Sequence, residues 1–252
     1  MNRLFNTRYG TEPLVFHAQG YHDFKPVWPK IRECVFANPQ RQLGPRPRIT
    51  VMTCNNGHAA MGLFEDSVAR LGIPMRIAGR EFPEWNNAVH KPQAILNALR
   101  TVETDWVLCA DSRDAILAGD PEILVDRMER DFAARMVFGA CAMSWPNARD
   151  LTGFERDLPE AQGHDCRHLN GGIWIARTDL ATRFFTAVAA CPPHLAAPDS
   201  EQGKLRKVFP DFVGPVSLDY GVRMFHNVGF VFEDTYEIRP SEVGQARRSV
   251  PA

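Results

Sequence analysis

The sequence predicts an α/β fold with a mostly parallel central sheet and helices on both of its faces. Three observations carry this. Apolar runs of strand length recur between Arg48 and Ala190 and alternate with stretches of helical period, the pattern of strands joined by crossover helices. Turn-forming residues separate them. The 252 residues, 44% hydrophobic and 23% charged, suit one large domain or two small ones, with a substantial core.

The elements follow in order. The stretch up to Pro47 has no clear periodicity and holds one short apolar run, Pro13–His17, between Gly10 and Gly20. Arg48–Thr53 reads as a buried strand stopped by the turn Asn55-Asn56-Gly57. His58–Leu71 places Met61, Phe64, Val68 and Leu71 at helical spacing before Gly72. Pro74–Ala78 is a second short strand. Lys91–Val102 is a helix with Ile95, Leu96 and Leu99 on one face and Pro92 in its first turn. Trp106–Ala110 is a strand that runs into Asp111. Asp120 caps a helix over Pro121–Phe132. Met136–Ala140 is a strand, a long loop follows, and Gly172–Ala176 and Leu180–Ala190 are a strand and a helix.

Several function classes are disfavoured at once. A net charge of −1 without a basic stripe does not suit electrostatic nucleic-acid binding. No apolar run reaches membrane-spanning length, and Met1–Gly10 lacks the apolar core of a secretory signal. The six cysteines are scattered without C-x-x-C spacing, which fits reduced, buried thiols. The expectation is a cytoplasmic protein.

Ligands of such sheets bind beyond the carboxyl ends of the strands, which directs attention to Thr53, Asn55 and Asp111. Asp111-Ser112-Arg113-Asp114 puts two carboxylates three residues apart at a strand end. They can face one hard cation such as Mn²⁺ or Mg²⁺, cap the turn, or serve a phosphohydrolase with Asp111 as nucleophile. Asn170-Gly171-Gly172 offers amide groups and close backbone approach, or simply a turn. Asp199 and Glu201 open a helix, and Lys91 could meet a phosphate or lie in solvent. His164, Cys166 and His168 have soft-metal ligand types but lack a second half at zinc-site spacing, so they read as a surface loop. His226 reads as a structural histidine.

Taken in order, Thr50–Thr53, Glu84-Trp85 with Lys91, Leu108–Gly119, Ser144-Trp145-Pro146, Leu169–Gly172, Glu201-Gln202, Leu218-Asp219-Tyr220 and Arg223-Met224-Phe225 resemble the glycosyltransferase domain of the procollagen lysyl hydroxylase and collagen glycosyltransferase group. That resemblance implies a GT-A-type fold and metal-dependent hexosyl transfer from a UDP-sugar to a hydroxyl acceptor. The relatives' domain closes with a segment N-x-x-Y-x-T-x-P-hydrophobic-V-x-H-x-N-G, whose histidine is the third protein ligand of the metal. Here no such segment follows Phe225 before Val250-Pro251-Ala252, whereas Asn6–Gly20 resembles it, with Gln19 in place of Asn. The expectation is a circular permutation of one domain over 1–252: residues 1–47 carry the metal-ligand loop and 48–252 the nucleotide-sugar core.

The resemblance assigns the metal to Asp111, Asp114 and His17. The nucleotide falls to Thr53, Asn55, Lys91, Ser112 and Arg113, the sugar or acceptor side to Trp145, Asn170, Gly171 and Gly172, and orienting the acceptor hydroxyl or acting as base to Asp199 or Glu201. Arg113 stands where the relatives carry an aromatic residue that stacks on uracil; a guanidinium plane can stack on a base or pair with phosphate. A catalytically silent nucleotide- or carbohydrate-binding module and a Mg²⁺-dependent phosphohydrolase are the alternatives.

Overall fold

The structure, a computed structural model, describes residues 2–20, 25–229 and 231–240; the terminal Val250–Ala252 lies outside them. Six strands form the central sheet: β3 (Ile49–Cys54), β4 (Met75–Ala78), β5 (Trp106–Asp111), β7 (Met136–Cys141), β8 (His168–Arg177) and β9 (Val216–Asp219). Their order is β4-β3-β5-β8-β7-β9, and only β8 runs antiparallel to its neighbours. The expected α/β class with a mostly parallel sheet is therefore observed.

The strands read as continuous apolar runs because both faces are covered. Successive side chains point to opposite faces. Met52, Val107 and Cys109 join a core with α3 (His90–Leu99) and α6 (Thr178–Ala190), and Val51, Trp106 and Leu108 join one with α2 (Leu63–Arg70) and α4 (Glu122–Asp131). Among the described residues, no helix is long and apolar enough to cross a membrane.

Several element boundaries differ from expectation. The α2 helix starts at Leu63, because Gly62 has φ 120° and the backbone before it turns instead. β8 is twice the expected length and contains Asn170–Gly172 within the strand. There it bulges: Phe138 faces Trp174 but Gly139 faces Asn170, so residues 171–173 have no partner in β7. The long loop holds α5 (Arg149–Asp157), and α7 (Glu201–Val208) opens at Ser200, whose hydroxyl accepts from the Gln202 N–H at 3.2 Å.

The N-terminal stretch is more ordered than its sequence suggests. It forms β1 (Asn2–Asn6), β2 (Val15–His17) and α1 (Val27–Ala37). In α1 the buried Val27, Trp28, Ile31, Cys34 and Val35 follow a helical period, and Pro29 falls in the first turn, where its missing N–H costs nothing. A second sheet has β2 at its centre, parallel to β10 (Phe225–Asn227) and antiparallel to β6 (Ala115–Leu117). Its register sets His17 opposite both Ala115 and Asn227. Two strands from opposite ends of the chain, β1 and β11 (Tyr236–Pro240), pair antiparallel with Asn2 opposite Pro240.

His226 helps to join these ends. Its Nδ1 accepts from the Tyr236 hydroxyl at 2.5 Å and faces the Asn6 amide at 3.4 Å. Burial, reinforced by Arg8, pushes its pKa down to about 3. The unfolded chain therefore takes up a proton below about pH 6.5 that the folded chain refuses until near pH 3. The contribution is full above the unfolded pKa and is lost as pH falls, by up to about 1.4 kcal/mol per unit. In urea titrations, the stability gap between the native chain and His226→Gln is expected to narrow by roughly that slope below about pH 6. A gap that does not change with pH would contradict it.

Candidate metal centre

A cavity of about 960 Å³ opens beyond the carboxyl ends of β3 and β5. β5 delivers Asp111 at its last residue, and the turn to β6 delivers Asp114 three residues on. His17, at the end of β2, is held beside that turn by the register with Ala115 and by a 2.7 Å bond from the Ala18 N–H to the Asp114 carbonyl. Three segments far apart in sequence thus meet at one point. His17 Nε2 lies 3.3 Å from Asp114 Oδ1 and 3.5 Å from Asp111 Oδ2. One ligand atom from each residue lies within 4.8 Å of the other two.

The orientation of the imidazole is set from behind. Asn227 donates its Nδ2 to the Ala140 carbonyl at 3.0 Å, which turns its Oδ1 toward His17 Nδ1 at 2.8 Å. His17 Nδ1–H therefore donates to Asn227, and Nε2 faces the carboxylates. Outer partners of this kind fix the tautomer of metal-binding histidines. Burial alone would lower the His17 pKa, but Asp114 and Asp111 outweigh it and raise it to about 10. Asp111, which burial would raise, is held well below the usual carboxylate range by Lys91 and His17. The residues fit a hard divalent cation: two carboxylates and one imidazole converge on one point, and oxygen-rich sites with a single nitrogen suit Mn²⁺ or Mg²⁺.

The glycines of β8 serve this arrangement. A Cβ on Gly172 would lie 2.1 Å from His17 Cε1, and one on Gly171 would lie 2.3 Å from Leu205 Cδ1. The space that the sequence assigned to a ligand is filled by the protein itself. Gly172 still lines the cavity; Gly171 does not, because Gln202 Oε1 accepts its N–H at 2.8 Å beneath α7.

Lys91, Ser112, Arg113, Trp145, Asn170, Asp199 and Glu201 also line the cavity. Lys91 is buried rather than solvated, and its Nζ bridges Asp111, at 2.7 Å, and Glu201. Ser112 Oγ donates to Glu65 and accepts from the Gly62 N–H. Asn170 Oδ1 accepts from the Gly172 N–H at 2.9 Å. Asp199 is exposed, 3.4 Å from the Asn86 amide. Thr53 and Asn55 are not brought to the cavity. Thr53 is fully buried and donates to the Ala110 carbonyl, and Asn55 is occupied by Glu65 and the Gly57 N–H. Cys54, between them, is the lining residue, as the two-residue strand period requires.

The soft-ligand stretch is a surface loop only in part: His164 is half-buried in it, whereas Cys166 and His168 are buried, with Cys166 against Tyr9 and His168 bonded to Glu155 at 2.8 Å. Lys25 is a charged lining residue that the sequence did not single out. It is 5% exposed, its Nζ donates to the Ala18 and Gly20 carbonyls, and burial pushes its pKa down to about 8. No carboxylate among the described residues pairs with it. The signal available was a lysine in the apolar context Phe24-Lys25-Pro26-Val27-Trp28, shortly after His17 and Gly20.

No protein-family model matches the chain, and no curated protein matches it. Similar solved structures include glucosyl-3-phosphoglycerate synthase from Mycobacterium tuberculosis. In complex with uridine diphosphate it is 16% identical, over 68% of this chain and 69% of that one, with a TM-score of 0.42. In complex with Mn²⁺, UDP-glucose and phosphoglyceric acid it is 14% identical, over 78% and 73%, with a TM-score of 0.41. A further structure of the same enzyme is 16% identical, over 84% and 79%, with a TM-score of 0.42.

Proposed function

We propose that the chain is a divalent-cation-dependent glycosyltransferase that moves a hexose from a UDP-sugar to a hydroxyl acceptor. The observation that carries this is the meeting of His17 with Asp111 and Asp114 inside a cavity large enough for a nucleotide sugar. The order of motifs shared with the resembled family supplies the choice of reaction. When bound, Mn²⁺ or Mg²⁺ offsets the charge that develops on the diphosphate as the glycosidic bond breaks. His17, Asp111 and Asp114 hold it, with Asn227 steadying the imidazole.

Lys25, which pairs with no carboxylate among the described residues and donates to the Ala18 and Gly20 carbonyls, offers its remaining N–H to a phosphate oxygen, whereas Lys91 is engaged by Asp111 and Glu201. Arg113 is about half exposed and offers a plane for the base or a charge for phosphate. Trp145 and Asn170 face the sugar or acceptor. Glu201, which lines the cavity with Asp199, takes the acceptor proton in this reading as that oxygen bonds to the anomeric carbon and UDP leaves.

A thermal-shift comparison of UDP, GDP and ADP, each with and without Mn²⁺, tests the reading. At about 100 times Kd, binding adds about 2.7 kcal/mol, or roughly 5–10 °C in a chain of this size. A UDP shift that requires Mn²⁺ is expected; no nucleotide shift would overturn the proposal.

The permuted order is proposed with it. Its support is spatial: β2 lies beside β10, and β1 runs alongside β11, so residue 240 lies next to residue 2. A chain that starts at Arg48, passes from Pro240 through a short Gly-Ser linker to Asn2, and ends at Pro47 is expected to fold. It should bind Mn²⁺ within about twofold of the native affinity, as rearrangements at adjacent ends allow. An unfolded product or lost affinity would contradict it.

A further inference from the structure

Trp145 poses a problem of mechanics. The residue is 55% exposed at the cavity wall, on the segment after β7, where an unbraced side chain would be mobile. The bracing comes from α7. Arg206 has a side chain that is 0% exposed, and its guanidinium grips the residue on each side of Trp145. Nη1 donates to the Pro146 carbonyl at 2.7 Å and Nη2 to Ser144 Oγ at 2.9 Å. Behind it, Glu155 accepts from Arg206 Nε at 2.7 Å and Nη2 at 2.6 Å. Glu155 also holds His168 at 2.8 Å and the Leu169 N–H at 3.3 Å, the residues that lead into Asn170. Ser144 is bonded to Thr152 of α5 at 2.6 Å as well.

A buried ion pair contributes little stability over an apolar pair of the same volume, whereas its bonds are directional. Every Arg206 donor named here reaches either the Trp145 flanks or the carboxylate that ties it to β8. We propose that Arg206 is a positioning residue that fixes the Trp145 indole as a rigid wall of the cavity that Asn170 also lines. The same helix carries Glu201 and Gln202, so α7 aligns the cation side, the β8 bulge and the indole wall as one body. The inference rests on Trp145 being a ligand-facing wall as read above, and its test needs no sugar transfer.

The chain labelled with 5-fluorotryptophan should show one narrow ¹⁹F resonance for Trp145, identified by its absence in Trp145→Phe. In Arg206→Met, and in the double variant Arg206→Met/Glu155→Met that leaves no unpaired buried charge, that resonance should shift and broaden. Acrylamide quenching of Trp145 should rise about twofold, while Mn²⁺ affinity stays within about twofold of native. Arg206→Lys, which cannot reach both flanks, should be intermediate. A folded double variant with an unchanged Trp145 resonance would overturn the assignment. So would failure of both methionine variants to fold, since Arg206 would then serve the core rather than the indole. Absence of a UDP shift in the native chain would leave this outcome untouched.

Discussion

His17→Ala is expected to weaken Mn²⁺ binding by at least about 100-fold, beyond the 10–100-fold typical of losing an outer partner, and so beyond the loss in Asn227→Ala. The imidazole is the one nitrogen among three converging ligands, and its Nε2 faces both carboxylates. Without it, Asp114 remains buried beside Asp111 with no group between them. Titration calorimetry with Mn²⁺ checks the effect, and circular dichroism checks that the variant is folded. Unchanged affinity in a folded variant would remove His17 from the site.

Gly172→Ala should reproduce much of that loss from the other side of the cavity. The added methyl would sit 2.1 Å from His17 Cε1 and 2.6 Å from both ring nitrogens. The ring cannot yield without losing its 2.8 Å bond to Asn227 or its place between the aspartates. Overpacking of this kind costs about 1–3 kcal/mol, so the chain should fold while the cation site is disrupted. Gly171→Ala is the control. Its methyl would meet the end of Leu205, 2.3 Å away, and should disturb the seat of α7 instead. Equal Mn²⁺ affinity in the native chain and Gly172→Ala would contradict this packing argument.

The parts of the fold legible in the sequence are those governed by local rules. β3, β5 and β7 are short apolar runs bounded by turns, and α3, α4 and α6 carry clear helical periods. α1 was hidden because Pro26 precedes its first turn and Pro29 falls within it, although its buried residues keep the period. The strength of β8 lay outside its apolar stretch, since Asn170–Gly172 read as a turn until the bulge shows why glycines stand in a strand. Asp111 and Asp114 were visible as a strand-end pair. That His17 joins them could be read only from the order of segments in a resembled family.

Contacts between remote segments left weaker traces. Asn227 holds His17 across 210 positions, and Arg206 holds Pro146 across 60. Neither has a local signature, because topology alone brings them together. Thr53 and Asn55 stand at the expected strand end, but the alternation of side chains gives the cavity to Cys54. Lys91 lines the cavity, but its charge is engaged by two carboxylates rather than open to phosphate.

The most direct test of the joint cation site is an anomalous-difference map from crystals grown with Mn²⁺. The expected result is one peak about 2.2 Å from His17 Nε2 and from one oxygen each of Asp111 and Asp114, a spacing typical of small hard cations. A peak elsewhere, or none, with His17 still beside both aspartates, would contradict it.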